Sequence, residues 1–154
     1  MSRLAAVLAL ILSACGTVAP SAPAQPGGVI QGEGPEDLAA ARDRWGFHGY
    51  DDYKFTISRS CFCPPEVTGP FLVTVRDGDV VSATRAGQPL APSVTVPSVE
   101  HVFDEIGAAY AAGAASVRVS YDGTTGHPVE VWIDLDEMMA DEEMGYTISG
   151  LSGD

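Results

Sequence analysis

Apolar and polar residues alternate one by one along several stretches of the chain, which is the period of a half-buried β-strand. The clearest stretch begins at Tyr53, where Tyr53, Phe55 and Ile57 alternate with polar neighbours. Asp77-Gly78 is typical of a tight turn, and residues 122–128 are typical of a longer hairpin loop. The pattern predicts strands over residues 53–58, 71–75, 80–85, 117–122, 129–134 and 146–151.

Helical spacing replaces this alternation in two places. We expect the first helix to begin at Pro35, because proline suits the first helical position, and to end at Gly46. After a proline-rich loop, Ser98 is suited to cap a second helix, with Gly113 as its C-terminal cap. The apolar stripe of this second helix consists of Val99, Val102, Phe103, Ile106, Ala109 and Tyr110. Mostly opposite this stripe lie Glu100, His101, Asp104 and Glu105.

These elements predict the α+β class, with a single domain over residues 35–154. We expect two helices packed on one face of an antiparallel β-sheet, in the order α-βββ-α-βββ. This arrangement would bury the apolar side chains of the helices against those of the strands. About 120 residues are enough for one domain with a single core.

The first fourteen residues have the pattern of a signal peptide. Arg3 supplies a positive charge, and residues 4–12 form an uncharged apolar run that is shorter than the about 20 residues of a membrane-spanning helix. The motif Leu12-Ser13-Ala14-Cys15 then resembles the bacterial lipobox, in which cleavage before the cysteine leaves that cysteine lipidated. We therefore expect an exported protein anchored through lipid on Cys15, with residues 15–34 as a flexible tether. The alternative is an ordinary signal peptide followed by a chance cysteine.

The net charge of the chain disfavours some classes of binding partner. Residues 1–14 contain one basic residue, Arg3, and no acid, so the rest of the chain has 7 basic and 21 acidic residues and a formal charge of −14. Such a surface repels nucleic acid and anionic lipid headgroups. We expect no nucleic acid and no cofactor as ligand, attachment to the membrane through the N-terminal lipid, and an envelope protein as partner.

Cys61 and Cys63 remain once Cys15 carries lipid. An exported protein favours a disulfide between them, although Cα atoms two residues apart in a straight strand are separated by about 6.6 to 6.8 Å, at the wide limit for such a bond. A bend before Pro64 would shorten that distance. A labile redox pair and a metal site shared with a histidine stay open as alternatives. No metal site is predicted, because His48, His101 and His127 have no ligand spacing, and each histidine is expected at the surface or in a loop.

Three further features carry weaker hypotheses. One is an acidic surface formed by Asp134, Asp136, Glu137, Asp141, Glu142 and Glu143. It lacks the spacing of a calcium loop, and a solvated acidic face is the simpler interpretation. Trp132 falls on the outward side of its strand, either as an exposed aromatic anchor or covered by a loop or a neighbouring chain. Met138, Met139 and Met144 either line a soft binding surface or fill gaps in the core.

A set of short motifs resembles a family of uncharacterised bacterial lipoproteins that contain domain of unknown function 6174. The motifs are Tyr53-Lys54-Phe55-Thr56, Cys61-Phe62-Cys63-Pro64-Pro65-Glu66, Gly69-Pro70, Val73-x-Val75-x-Asp77-Gly78 and Tyr121-Asp122 with Gly126-x-Pro128. The resemblance covers most of residues 40–150 and implies no catalytic role for any residue.

The sequence supports two functional hypotheses, one for a binding protein and one for an enzyme. The first is a membrane-tethered, non-enzymatic binding or envelope-assembly module, because no catalytic constellation, phosphate loop or nucleophile elbow is present in the sequence. The alternative is a thiol-redox or metal-assisted envelope enzyme that uses Cys61 and Cys63.

Overall fold

A computed structural model describes residues 28–139 and 141–154, so the signal peptide, Cys15 and most of the tether lie outside the described residues. The elements in chain order are β1 (Val29–Gly32), α1 (Pro35–His48), β2 (Tyr53–Cys61), β3 (Phe71–Arg76), β4 (Asp79–Arg85), β5 (Gln88–Pro89), α2 (Val99–Ala112), β6 (Ser116–Asp122), β7 (Pro128–Asp134) and β8 (Met144–Gly153). A short 3-10 turn, Pro65–Val67, lies between β2 and β3.

The strands form one antiparallel sheet in the spatial order β1-β6-β7-β8-β2-β3-β4-β5, which confirms the α+β class. The chain order differs from the predicted α-βββ-α-βββ because short strands are added at both sheet edges. Residues 29–32, which the sequence pattern assigned to the tether, form β1 and pair with β6, so that Ile30 lies opposite Tyr121. Only the distant partner strand makes this short segment a strand, since four residues carry little alternation of their own.

Buried side chains of the strands and of both helices form one hydrophobic core. The register brings Tyr53 opposite Val75 and Val131 opposite Tyr146, so that apolar side chains of neighbouring strands meet on the same face. Burying this face would stabilise the fold by roughly 25 cal/mol for each Å² of apolar surface. The buried core residues are Leu38, Ala41, Trp45, Tyr53, Phe55, Ile57, Phe71, Val73, Val75, Val99, Val102, Phe103, Ile106, Ala109, Val119, Tyr121, Val131, Ile133, Tyr146 and Ile148. The opposite side of the sheet, termed the open face, carries mainly polar residues.

The helix ends follow local chemistry. Ser98 caps α2 as predicted, its Oγ accepting a hydrogen bond from the backbone N–H of His101 at 3.4 Å, and Gly113 ends the helix in the left-handed conformation with φ 72°. The predicted end of α1 at Gly46 is wrong, because the helix continues to His48. The chain turns instead at Gly49, where a side-chain carbon would come within 2.6 Å of the Trp45 ring. No helix in the described parts of the chain is both long and apolar enough to cross a membrane.

The strand register defines two ends of the sheet. At the end termed proximal, Val29 lies opposite Asp122, so the chain joins the domain there through Gly28. At the other end, termed distal, Cys61 lies opposite Met144. Nine residues of β2 separate the two ends by about 26 Å. The disulfide region and the β7–β8 connection therefore lie far from the point where the N-terminal segment attaches.

Candidate functional site

The distal end begins with the cysteine pair. Cys61 ends β2 and is joined to Cys63 by a disulfide with a Cα–Cα distance of 5.3 Å, shorter than a straight strand allows. The chain then doubles back, and the backbone N–H of Arg59 donates to the carbonyl of Thr68 at 2.7 Å. Between the two cysteines, 87% of the Phe62 surface is exposed. The disulfide thus closes a tight turn that presents an aromatic ring to solvent.

Arg59, two residues before Cys61, packs against its neighbours through its guanidinium group. Its Nη2 donates to the carbonyl oxygen of Thr95 at 3.3 Å, and its guanidinium carbon lies 5.6 Å from the centre of the Tyr146 ring. Within residues 28–139 and 141–154, no group of three or more His, Cys, Asp or Glu side chains is arranged to hold a metal ion.

The acidic stretch forms the connection from β7 to β8, beside the disulfide turn. Asp136 organises it, because its Oδ1 accepts the N–H of Met138 at 3.0 Å and its carbonyl accepts the N–H of Met139 at 2.9 Å. The turn leaves 89% of the Met138 surface exposed, and the side chains of Leu135 and Met139 are also exposed. The six candidate acidic residues divide into exposed Glu137 and Asp141 and half-buried Asp134, Asp136, Glu142 and Glu143.

An apolar groove of about 300 Å³ opens between α2 and this connection. Small side chains on the α2 surface, Ala108 and Ala112 among them, leave the space unfilled, and Met144 lies at the start of β8. The lining consists of Glu105, Ala108, Ala109, Ala112, Ile133, Leu135, Glu142 and Met144. Two carboxylates therefore border a surface that is otherwise aliphatic.

Glu105 reaches from the groove toward the core. Its Oε2 is buried and has no hydrogen-bond partner among the described residues. Burial, and after it the Glu105 carboxylate, raise the pKa of Tyr146 far above the ordinary tyrosine value. The phenol oxygen of Tyr146 also lies 3.1 Å from the Met144 sulfur, within hydrogen-bond distance. The Glu105 carboxylate at the groove thus has one oxygen that is removed from water, and the Tyr146 phenol lies close to the carboxylate.

Trp132 lies on the open face, away from this groove. It is half-buried, with the Arg118 guanidinium carbon 5.9 Å from its ring centre and the ring close over Gly145, where a side-chain carbon would come within 3.1 Å. The surrounding depression of about 370 Å³ is lined by both polar and apolar residues, and its polar members include Gln31, Ser60, Ser120, Glu130 and Thr147. The Trp132 ring therefore lies on the open face, where neighbouring residues cover part of it.

His127 lies in the predicted hairpin loop between β6 and β7, as the sequence indicated, and within that loop its side chain is buried, with 8% of its surface exposed. Its Nδ1 lies 2.6 Å from the Thr125 hydroxyl, and Asp122 accepts N–H hydrogen bonds from Thr125 and Thr124 at 2.8 and 2.9 Å. Burial raises the pKa of the Asp122 carboxyl, but these hydrogen bonds outweigh it and the net pKa is lowered. Burial lowers the pKa of His127. These contacts shape the loop and pack it near the Trp45 ring of α1.

A polar cluster at the proximal end was missed by reasoning from the sequence. Glu100, expected on the solvent side of α2, accepts from Trp45 Nε1 at 2.9 Å and from the Tyr53 hydroxyl at 2.7 Å. The same hydroxyl accepts the backbone N–H of Val99 at 2.9 Å, so it satisfies a free donor at the helix start. Burial, and then the hydrogen bond to Glu100, strongly raise the pKa of Tyr53. The signal in the sequence is an acidic residue in the first turn of α2, which alone predicts no specific partner.

The fold and these sites define a small α+β domain whose distal end combines a disulfide turn, an acidic connection and an apolar groove. The model of a family of unknown function (DUF6174) matches residues 37–153. The chain therefore belongs to this family, as the set of short motifs between residues 53 and 128 indicated. No curated protein and no solved structure matches the chain.

Proposed function

We propose that the chain is an exported bacterial lipoprotein whose domain is a non-enzymatic binding or assembly module of the cell envelope. The observation that carries the anchor is the motif Leu12-Ser13-Ala14-Cys15, directly after a short apolar run that begins beyond Arg3. Two acyl chains on one cysteine are enough for stable membrane attachment, whereas a single chain is marginal.

The position of the tether supports this function. The N-terminal segment reaches the domain at the proximal end, and the residues from Cys15 to Gly28 span at most about 45 Å when fully extended. The distal end, on the far side of the sheet, is then free to meet a partner in the envelope. Exposed Phe62 and Met138 are characteristic of a surface that binds another protein, since large apolar side chains are enriched in interface cores.

The rival function is a thiol-redox or metal-assisted envelope enzyme that uses Cys61 and Cys63. Its support is the exposure of Phe62 beside the disulfide, which gives another molecule access to the turn. Against it, a nucleophilic thiolate needs nearby positive charge, and the arginines of this region make other contacts: Arg59 contacts Tyr146 and Thr95, and Arg85 donates to the carbonyl of Pro65 at 3.0 Å. Rapid exchange of the folded protein with glutathione would establish the rival.

The anchor is tested by replacing Cys15→Ser in a bacterial host that lipidates exported proteins. We expect the wild-type chain to partition into the detergent phase of a temperature-induced detergent extraction and the variant to lose that partitioning. The matched control is the double variant Cys61→Ser/Cys63→Ser, which removes the other two thiols and leaves the motif intact. Equal partitioning of the Cys15→Ser variant and the wild type would overturn the anchor.

A further inference from the structure

The groove between α2 and the β7–β8 connection is chemically complementary to a long basic side chain. Its walls are aliphatic, with Ala108 and Ala112 on one side and Leu135 on the other, while Glu105 and Glu142 supply negative charge. Lysine and arginine have an apolar stem and a charged head, so they bury the stem along apolar surface and direct the head to a carboxylate. The Glu105 carboxylate, whose Oε2 has no hydrogen-bond partner within residues 28–139 and 141–154 and which lies close to the Tyr146 phenol, is an acceptor of the required kind.

The surroundings of the groove extend this match. The connection from Asp134 to Glu143 carries six carboxylates, and the chain beyond residue 14 has a formal charge of −14. Such a field attracts a cationic partner and repels anionic lipid. Exposed Met138 and Met139 add flexible, polarizable surface beside the groove, which adapts to apolar side chains of different shapes.

We propose that the groove and the adjoining turn, residues 135–139, form the docking site for a basic amphipathic segment of an envelope protein. A lysine or arginine of that segment inserts its stem between α2 and Leu135 and pairs its head with Glu105 or Glu142, and apolar residues of the segment contact Met138. This deepens the proposed binding function and depends on it, but it is independent of the lipid on Cys15.

The test measures binding of three designed peptides to the mature chain from residue 15, made with serine at that position so that it stays free of lipid. The first peptide carries leucine and lysine at helical spacing, the second replaces each lysine with glutamate, and the third replaces each leucine with serine. We expect the leucine–lysine peptide to bind at one to one, and the other two to bind at least tenfold more weakly. Nuclear magnetic resonance locates the site through shifts of residues 105–112 and 133–144.

Two pairs of variants separate the groove from general charge attraction. Ala112→Leu fills the groove and should weaken binding at least tenfold, whereas Ala111→Leu, on the exposed side of the same helix turn and outside the groove, should leave it unchanged. Glu142→Gln should weaken binding at least threefold, whereas Glu130→Gln on the open face should change it little.

Equal effects within either pair would overturn the proposal, as would binding of the leucine–glutamate peptide with the affinity of the leucine–lysine peptide. Binding of an uncharged apolar molecule that shifts only groove residues, with no binding of the leucine–lysine peptide, would assign the groove to a small apolar ligand and would also overturn it. None of these results bears on the anchor, whose failure is seen separately as persistent detergent partitioning of the Cys15→Ser chain.

Discussion

Replacing Tyr53→Phe removes a hydroxyl group that makes two hydrogen bonds in the core. The hydroxyl donates to the Glu100 carboxylate at 2.7 Å and accepts the Val99 N–H at 2.9 Å, while the ring has no exposed surface. The variant keeps the ring and its edge-on contact with Trp45, whose centre lies 5.4 Å away. The loss of stability therefore reports the hydroxyl contacts and little else.

The magnitude follows from those two contacts. A hydrogen bond to a charged group contributes about 1.5 to 3 kcal/mol, and a buried N–H left without an acceptor costs about 1 to 3 kcal/mol. Because the Val99 N–H is buried at the start of α2, water does not readily replace the hydroxyl. Allowing for relaxation and for the bond that Glu100 retains with Trp45, we expect Tyr53→Phe to lower the free energy of unfolding by about 2 to 4 kcal/mol.

Urea unfolding followed by tryptophan fluorescence measures this change. The matched control is Tyr50→Phe, the same deletion on a side chain that is partly exposed, for which we expect a change of at most about 0.5 kcal/mol. Burial raises the pKa of Tyr53 above its unfolded value near 10, so its contribution is fully present below about pH 10 and is lost as the pH rises further. A loss below about 1 kcal/mol, or one equal to that of the control, would refute the role assigned to this hydroxyl.

Three further predictions concern the loops. The double variant Cys61→Ser/Cys63→Ser should still fold and lose no more than about 1.6 kcal/mol, because so small a loop restricts the unfolded chain little; calorimetry measures the loss. Gly126→Ala should lower the free energy of unfolding, measured in urea, by at least about 3 kcal/mol, because the φ of Gly126 is 83° and the new carbon would collide with the backbone of α1. In the control Gly150→Ala, only the positive φ of 63° opposes the substitution, so the loss should be about 1 to 2 kcal/mol. Burial lowers the pKa of His127 below 6.5, so the unfolded chain binds the proton at a higher pH than the folded chain does. The contribution of His127 to stability should therefore be fully present above about pH 6.5 and decrease as the pH drops below that value. His127→Gln should reduce this decrease.

The elements that could be predicted from the sequence are those whose residue pattern reflects burial of one face or capping within one helix turn. The alternation from Tyr53 to Ile57 follows from burial of a single sheet face, and Ser98 and Gly113 end α2 through chemistry confined to one helix turn. Short edge strands were not predictable in this way. Residues 29–32 become β1 only because β6 offers free hydrogen-bonding groups about 90 residues later in the chain.

Site residues, too, could be predicted only where they depend on neighbours in the chain and not on contacts between distant segments. The spacing of Cys61 and Cys63, together with Pro64, favoured a local disulfide with a bent backbone, and the structure joins the two residues at a Cα–Cα distance of 5.3 Å. The acidic stretch was visible as composition, but the groove beside it depends on small α2 side chains facing β7 and β8 across the sequence. Likewise, nothing near His127 in the chain indicates that α1 would bury it.

The central claim is that the chain is processed and lipidated at Cys15, and mass spectrometry of the N-terminal tryptic peptide tests it most directly. Trypsin cleaves after lysine and arginine, and the first such residue beyond Cys15 is Arg42, so the mature protein yields a peptide of residues 15–42. The account predicts that this peptide, taken from the membrane fraction, begins at Cys15 and is heavier than its sequence by at least one diacylglyceryl group. A peptide that begins elsewhere, or residues 15–42 without added lipid, would contradict the account.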